Sequence, residues 1–136
     1  MNAAALPPVR PITLAEIRAA RERIAGTVLR TPLMRLDLGP GYPDICLKLE
    51  NLQPTNAYKI RGAVNAVAML SEAERARGVW TISAGNAVQG VAYAAREAGI
   101  ACSVVVIETA PATKLERMSA LGAKLVPVPF DVAWRA

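Results

Sequence analysis

Histidine is absent from this sequence. That one absence removes Ser-His-Asp and Cys-His nucleophilic sites, HExxH metal sites and zinc-finger spacing together. Cysteine is nearly absent. Cys46 and Cys102 stand far apart in apolar, strand-like surroundings, with no CxxC pair, and read as two buried small hydrophobes in a reducing compartment. No metal centre is expected. Aromatic residues make up 4% of the chain, too few for a base-stacking platform. The longest purely apolar runs are strand-sized, as in SVVVI at 103–107, so no segment is expected to span a membrane. The N-terminal MNAAALPPVRPIT has no basic n-region and no long apolar h-region, which argues against a secretory signal and makes the cytoplasm the default location. Lysine is scarce too, with four against twelve arginines. Acid–base chemistry must therefore draw on lysine, carboxylates, tyrosine or a cofactor.

What is present suits a compact α/β domain. The chain has 136 residues, 53% of them hydrophobic and 20% charged, enough to bury a core and too apolar for disorder. The net charge of +5 could suggest a nucleic-acid partner. The arginines are dispersed, however, and the densest group (Arg18, Arg21, Arg23) alternates with Glu16 and Glu22 on one helix. That pattern is a solvated face, and no nucleic-acid partner is expected.

Residues 1–11 are rich in Ala and Pro and read as a loose arm. ITLAEIRAARERIAG follows as a helix, with Thr13 and Glu16 in capping-box spacing, Ile12 and Ile17 placed for a hydrophobic staple, and Gly26 as its stop. Residues 30–44 are punctuated by Pro and Gly and should be mostly irregular, with a short extended piece. Strands and helices then alternate: a strand at 45–50, a helix at about 59–70, a short helix capped by Ser71 and Glu74, and a strand at 79–83. A helix at 86–99, an apolar strand ACSVVVIE, a helix opening at Pro111 and a strand at 124–130 complete the series. This order predicts a parallel sheet with helices on both faces. The final DVAWRA looks like one turn of a further helix, and the end reads as a truncation.

Two stretches carry chemistry. Lys59 falls at a loop-to-helix junction, where the positive end of the helix dipole, partial burial beside Tyr58 and Ile60, and the nearby Arg61 would all favour a neutral amine. A neutral amine is what Schiff-base formation with an aldehyde requires; a surface lysine reaching past apolar neighbours is the plainer alternative. TISAGNAVQG at 81–90 reads as strand, tight turn and helix start. The backbone N–H groups of Ser83, Ala84, Gly85 and Asn86 would converge there on an anion such as a carboxylate; an Asn N-cap after a glycine turn is the alternative. Val91 and Ala92 stand where a P-loop needs Lys-Ser/Thr, and GxGxxG is missing, which weighs against ATP and dinucleotides.

Together, KLENLQPTNAYKIRGA and SAGNAVQGVAYAA resemble the lysine segment and the Ser-x-Gly-Asn-His-x-Gln-Gly loop of fold-type II pyridoxal-phosphate enzymes. TPL at 31–33 and APATKLERMSALGAKLV fit the threonine/serine dehydratase branch of that family. The resemblance runs from about residue 13 to the end. It implies the small α/β domain of a tryptophan-synthase-beta-like fold, with Lys59 carrying pyridoxal 5'-phosphate as a Schiff base and acting as the base at Cα. It further implies that Tyr58 packs near the cofactor and Asn86 hydrogen-bonds its 3'-oxygen. Ser83, Ala84, Gly85 and Gln89 would lie along the substrate carboxylate, with backbone donors doing much of the binding.

Departures from the family pattern are informative. Ala57 replaces the usual Ser before the aromatic residue, Tyr58 replaces Phe, and Ala87 replaces His, which leaves a roomier substrate loop. Ala84 stands where family racemases carry a proton-donating serine, so elimination is favoured over racemisation. Family members are more than twice as long, and their glycine-rich phosphate loop lies beyond the segment matched here.

The expected organisation is an arm and helix at 1–40 that belong with a large domain, then a small domain at 41–136 carrying Lys59, with the C-terminal remainder absent. The expected function is a threonine/serine dehydratase-like ammonia-lyase with a small amino-acid substrate. The alternatives are a silent fragment, half of a split enzyme, or a relative acting on another β-substituted amino acid such as an aryl-serine. A homo-oligomer or a complementing chain is the expected assembly, because an incomplete core leaves apolar surface exposed.

Overall fold

The structure, a computed structural model, describes residues 10–82 and 85–133. Helix α1 (Leu14–Arg23) starts where the sequence predicts. The Glu16 amide donates to the Thr13 hydroxyl oxygen, and the Glu16 carboxylate takes the Thr13 N–H and O–H, each at 2.8 Å. Arg10 pairs with the same carboxylate, and chiefly through that contact Glu16 is held at a pKa of about 2. No α1 residue is buried, and Ile12 and Ile17 remain exposed, so the expected staple covers little.

Strands β1 (Leu33–Leu36) and β2 (Ile45–Lys48) form an antiparallel hairpin, with Leu33 opposite Lys48 and Leu36 opposite Ile45. The short extended piece expected within residues 30–44 is β1. One expectation is corrected: the strand at 45–50 pairs with it rather than joining the parallel sheet. The Pro/Gly-punctuated link at 37–44 is short, which suits antiparallel neighbours, whereas a parallel partner needs a crossover of a dozen residues or more. Neither face of the hairpin is well covered. Cys46 is therefore exposed, against the expectation of burial.

Beyond a 3-10 turn at Glu50–Leu52 come helix α2 (Lys59–Ala68), helix α3 (Glu72–Arg77), strand β3 (Val79–Ile82), helix α4 (Asn86–Glu97), strand β4 (Cys102–Ile107), helix α5 (Ala112–Ala120), strand β5 (Lys124–Val128) and the short helix α6 (Phe130–Ala133). Ser71 and Glu74 close the second capping box. Pro111 sits at the N-cap of α5, one position ahead of the expected N1, with its φ of −57° already suited to the turn. The expected opening of a last helix is present as α6; Trp134 onward lies outside the described residues.

The parallel sheet runs β3-β4-β5, with Val79 beside Cys102 and Ser103 beside Lys124. Pro127 falls on the edge strand, where a missing N–H costs least. Both crossovers step the same way, and right-handed connections then put α4 and α5 on one side. The core confirms it: Val88, Ala92 and Ala95 of α4 and Met118 of α5 bury Cys102, Val104 and Val106. On the opposite side Trp80, Ile82 and Val126 remain exposed, at 62%, 37% and 37%.

Helix α4 is covered on its outer side by α2. Ile60, Val64 and Val67, at i, i+4 and i+7, close over Ala94 in a second core cluster. The helices bearing the two chemically suggestive stretches are thus direct neighbours.

Candidate active site

Lys59 is the first residue of α2, and Tyr58 is its N-cap. Ile60 is fully buried against α4, while Lys59 and Tyr58 face outward and are exposed. The burial expected for Lys59 is therefore absent, because one step along a helix turns a side chain by about 100°. Its Nζ lies 5.0 Å from the centroid of the Tyr58 ring, a cation–π distance. Among the described residues Lys59 makes no ion pair.

Arg61 does not act as a free charge beside this amine. Its guanidinium grips Glu50 through Nε at 2.9 Å and Nη2 at 2.8 Å and also donates to the Leu29 carbonyl at 3.0 Å. Thr31 donates to the same carboxylate at 2.6 Å. Gln53, fully buried, donates to Glu50 at 3.2 Å and to the Leu29 carbonyl at 2.9 Å, and accepts from the Leu29 amide at 3.1 Å. Lys48 donates to the Thr31 carbonyl at 2.5 Å. Arg61, ahead of the opposing effect of desolvation, holds the Glu50 carboxyl at a pKa of about 2, and Glu50 raises Arg61 in return. The network fastens the loop before Lys59 to the segment after α1.

A second tie comes from Asn56, in the left-handed region at φ 54°, which Asn tolerates better than most residues. With its amide nitrogen turned toward the Asn51 and Gln53 carbonyls, its oxygen accepts from Arg117 of α5 at 2.9 Å. These bracing residues were missed in the sequence. The only signal was a run of polar side chains, Glu50, Gln53, Thr55 and Asn56, in a loop where surface residues would look the same.

At the other stretch, Gly85 is the N-cap of α4 and Asn86 its first residue, so Asn86 is not the cap. Gly85, Asn86 and Ala87 are exposed and Gln89 is half-buried. Ser83 and Ala84 lie outside the described residues. As a glycine the N-cap brings no capping side chain, and the first-turn amides of a helix have no intrahelical carbonyl to bond, an arrangement suited to an anion. Gly90, one turn further, lies so close to α2 that a Cβ there would come within 3.2 Å of the Lys59 and Ile60 backbone, which brings the start of α2 against the second turn of α4. A basic groove of about 590 Å³ lies elsewhere, between α1 and the hairpin, and its Lys48 and Arg61 are already committed to the brace.

A three-stranded parallel sheet with α4 and α5 packed on one side, and α2 packed over α4, defines the class as an α/β fold. Sequence comparison narrows it: the pyridoxal-phosphate dependent enzymes match residues 24–136. The chain belongs to that family, whose fold type II members work through pyridoxal phosphate. An L-threonine ammonia-lyase from Thermotoga maritima is 44% identical over 129 residues, covering 92% of this chain and 32% of the relative. Among solved structures, a serine racemase from Dictyostelium discoideum superposes with a TM-score of 0.83 at 34% identity, covering 91% of this chain and 41% of that one. The threonine deaminase of T.th. gives 0.80 at 35%, covering 91% and 40%. The chain spans about a third of the length of the curated relatives it matches, 32% to 37%.

The residues present suit one end of the cofactor. A primary amine that is exposed and unpaired among the described residues fits an aldehyde.

Proposed function

We propose that this chain is the lysine-bearing portion of a threonine/serine dehydratase-like ammonia-lyase, converting a β-hydroxy amino acid to a keto acid and ammonia. The observation that supports the reading is the close packing of α2 on α4, in which the Lys59 backbone lies against Gly90, one turn into α4. In this reading Lys59 holds the aldehyde carbon of pyridoxal phosphate and removes the substrate Cα proton. Tyr58 would wall the cofactor, and Asn86 would donate to the 3'-oxygen carried on its pyridine ring. The α4 amides hold the substrate carboxylate, with Ser83, Ala84, Gly85 and Gln89 around it. The bound cofactor supplies an electron sink for the charge left at Cα. Proton removal needs hydrogen-bond-scale contact, so the position of Lys59 decides the rate.

Alanine at position 84 supports elimination over racemisation, because it has no proton to give to the second face of Cα. The division into residues 1–40, belonging with a larger domain, and a small domain at 41–136 is part of the proposal, although the β1–β2 hairpin crosses that boundary. We place the protein in the cytoplasm; no helix among the described residues is long and apolar enough to cross a membrane. A second reading is a silent fragment or one half of a split enzyme that needs a complementing chain.

The test is keto-acid and ammonia release from L-threonine or L-serine with pyridoxal phosphate, by the chain alone and with a polypeptide supplying the rest of the family's length. Release by the combination that disappears with Lys59→Ala supports the lyase and the split reading. Turnover by the chain alone overturns the need for a complement. Inversion of the amino acid without keto acid would move the protein to the racemases.

A further inference from the structure

Helix α4 carries a glycine in its interior, where glycine is among the poorest helix formers. Gly90 is buried and its φ is not in the left-handed region, so its backbone has no need of glycine. Space is what demands it. A Cβ on Gly90 would lie 3.2 Å from the Lys59 carbonyl carbon, 3.2 Å from the Lys59 oxygen and 3.2 Å from the Ile60 nitrogen. All three are backbone atoms, so none can rotate aside. Gly62 on α2 is a useful contrast: a Cβ there meets nothing within 4 Å.

Asn86 precedes Gly90 by four residues and therefore shares its face of the helix. The side of α4 that presents Asn86 is the side that bears on the lysine backbone. Behind the contact Ile60, fully buried, and Val64 lock α2 against Ala94.

We infer that Gly90 is a positioning residue: its missing side chain lets α4 seat directly on the Lys59 peptide and fixes how far the amine stands from the turn that receives the substrate acid. The inference rests on the proposed role of Lys59. An added methyl would displace the α2 start by a few tenths of an ångström and move amine and acid site out of register without touching either.

The experiment uses the 136-residue chain. Wild type, Gly90→Ala and Gly62→Ala are treated with pyridoxal phosphate, reduced with borohydride and digested, and labelling of Lys59 is expressed relative to Lys124 of β5. Amide chemical shifts are recorded in parallel. In folded Gly90→Ala the largest shift changes near Lys59 and Ile60 should accompany a fall in the Lys59:Lys124 ratio of roughly threefold or more, while Gly62→Ala keeps the wild-type ratio. Should Gly90→Ala fold poorly, adding Val64→Ala gives α2 room to retreat, and the ratio is expected to stay depressed in the refolded double variant. Shift changes with an unaltered ratio would overturn the positioning role and leave the lysine's role standing. A wild-type chain with no preference for Lys59 would instead overturn the lysine's role, and this inference with it.

Discussion

Glu50 receives Arg61, Thr31 and Gln53 at once, so three chain segments depend on one carboxylate. Replacing Glu50 with Gln removes the charge while leaving Arg61 partly buried. The expected cost is about 1–3 kcal/mol, read as a lower urea midpoint. The acid dependence has a definite sign. Arg61 above all holds the Glu50 carboxyl at about 2, below the ordinary 4.5, so the folded state favours the carboxylate. Its stabilisation is complete above pH 4.5 and is lost as pH falls toward 2. Glu16, exposed and paired with Arg10, titrates in the same window. Glu50→Gln should therefore weaken the acid limb of unfolding without abolishing it, and an unchanged limb would show that the brace adds nothing. The helix start at Lys59 was legible, but the setting of the lysine was not. Tyr58, Lys59 and Ile60 are consecutive, and sequence alone does not say which of them faces α4.

At the scale of elements, the parallel unit was legible because its signals agree: capping boxes, glycine stops and the apolar run ACSVVVIE. β4 buries Cys102, Val104 and Val106 and turns Ser103, Val105 and Ile107 to the other side. The hairpin was not legible, since β1 is a four-residue strand between prolines and its pairing is a long-range choice that local pattern does not encode. Met118, 1% exposed, joins α5 to β4, and Met118→Ala should cost about 2–5 kcal/mol by cavity formation, measured by denaturant unfolding. Gly62→Ala should instead stabilise α2 by about 0.5–1 kcal/mol, because its neighbourhood is open and its φ is ordinary. A loss of stability there would mean that the outer side of α2 is covered by something in solution.

For the molecule as a whole, large apolar side chains are exposed in several places: Ile12, Leu14 and Ile17 at α1, Leu33 and Met34 of the hairpin, and Trp80 and Ile82 on the open side of the sheet. Exposed apolar surface of this kind favours association. Light scattering is expected to give a mass above that of one chain, and Trp80→Ser should lower it. A monodisperse monomer would contradict this. Trp80 lies on the side of the sheet opposite α4, so loss of association in Trp80→Ser and loss of amine reactivity should separate.

The packing of α2 on α4 faces its most direct test in the choice among the four lysines. Incubate the folded wild-type chain with pyridoxal phosphate, reduce with borohydride, and identify the modified residue by peptide mass. A label concentrated on Lys59, over Lys48, Lys114 and Lys124, is the predicted result. A label spread evenly over the four, or centred on any other, would contradict the account.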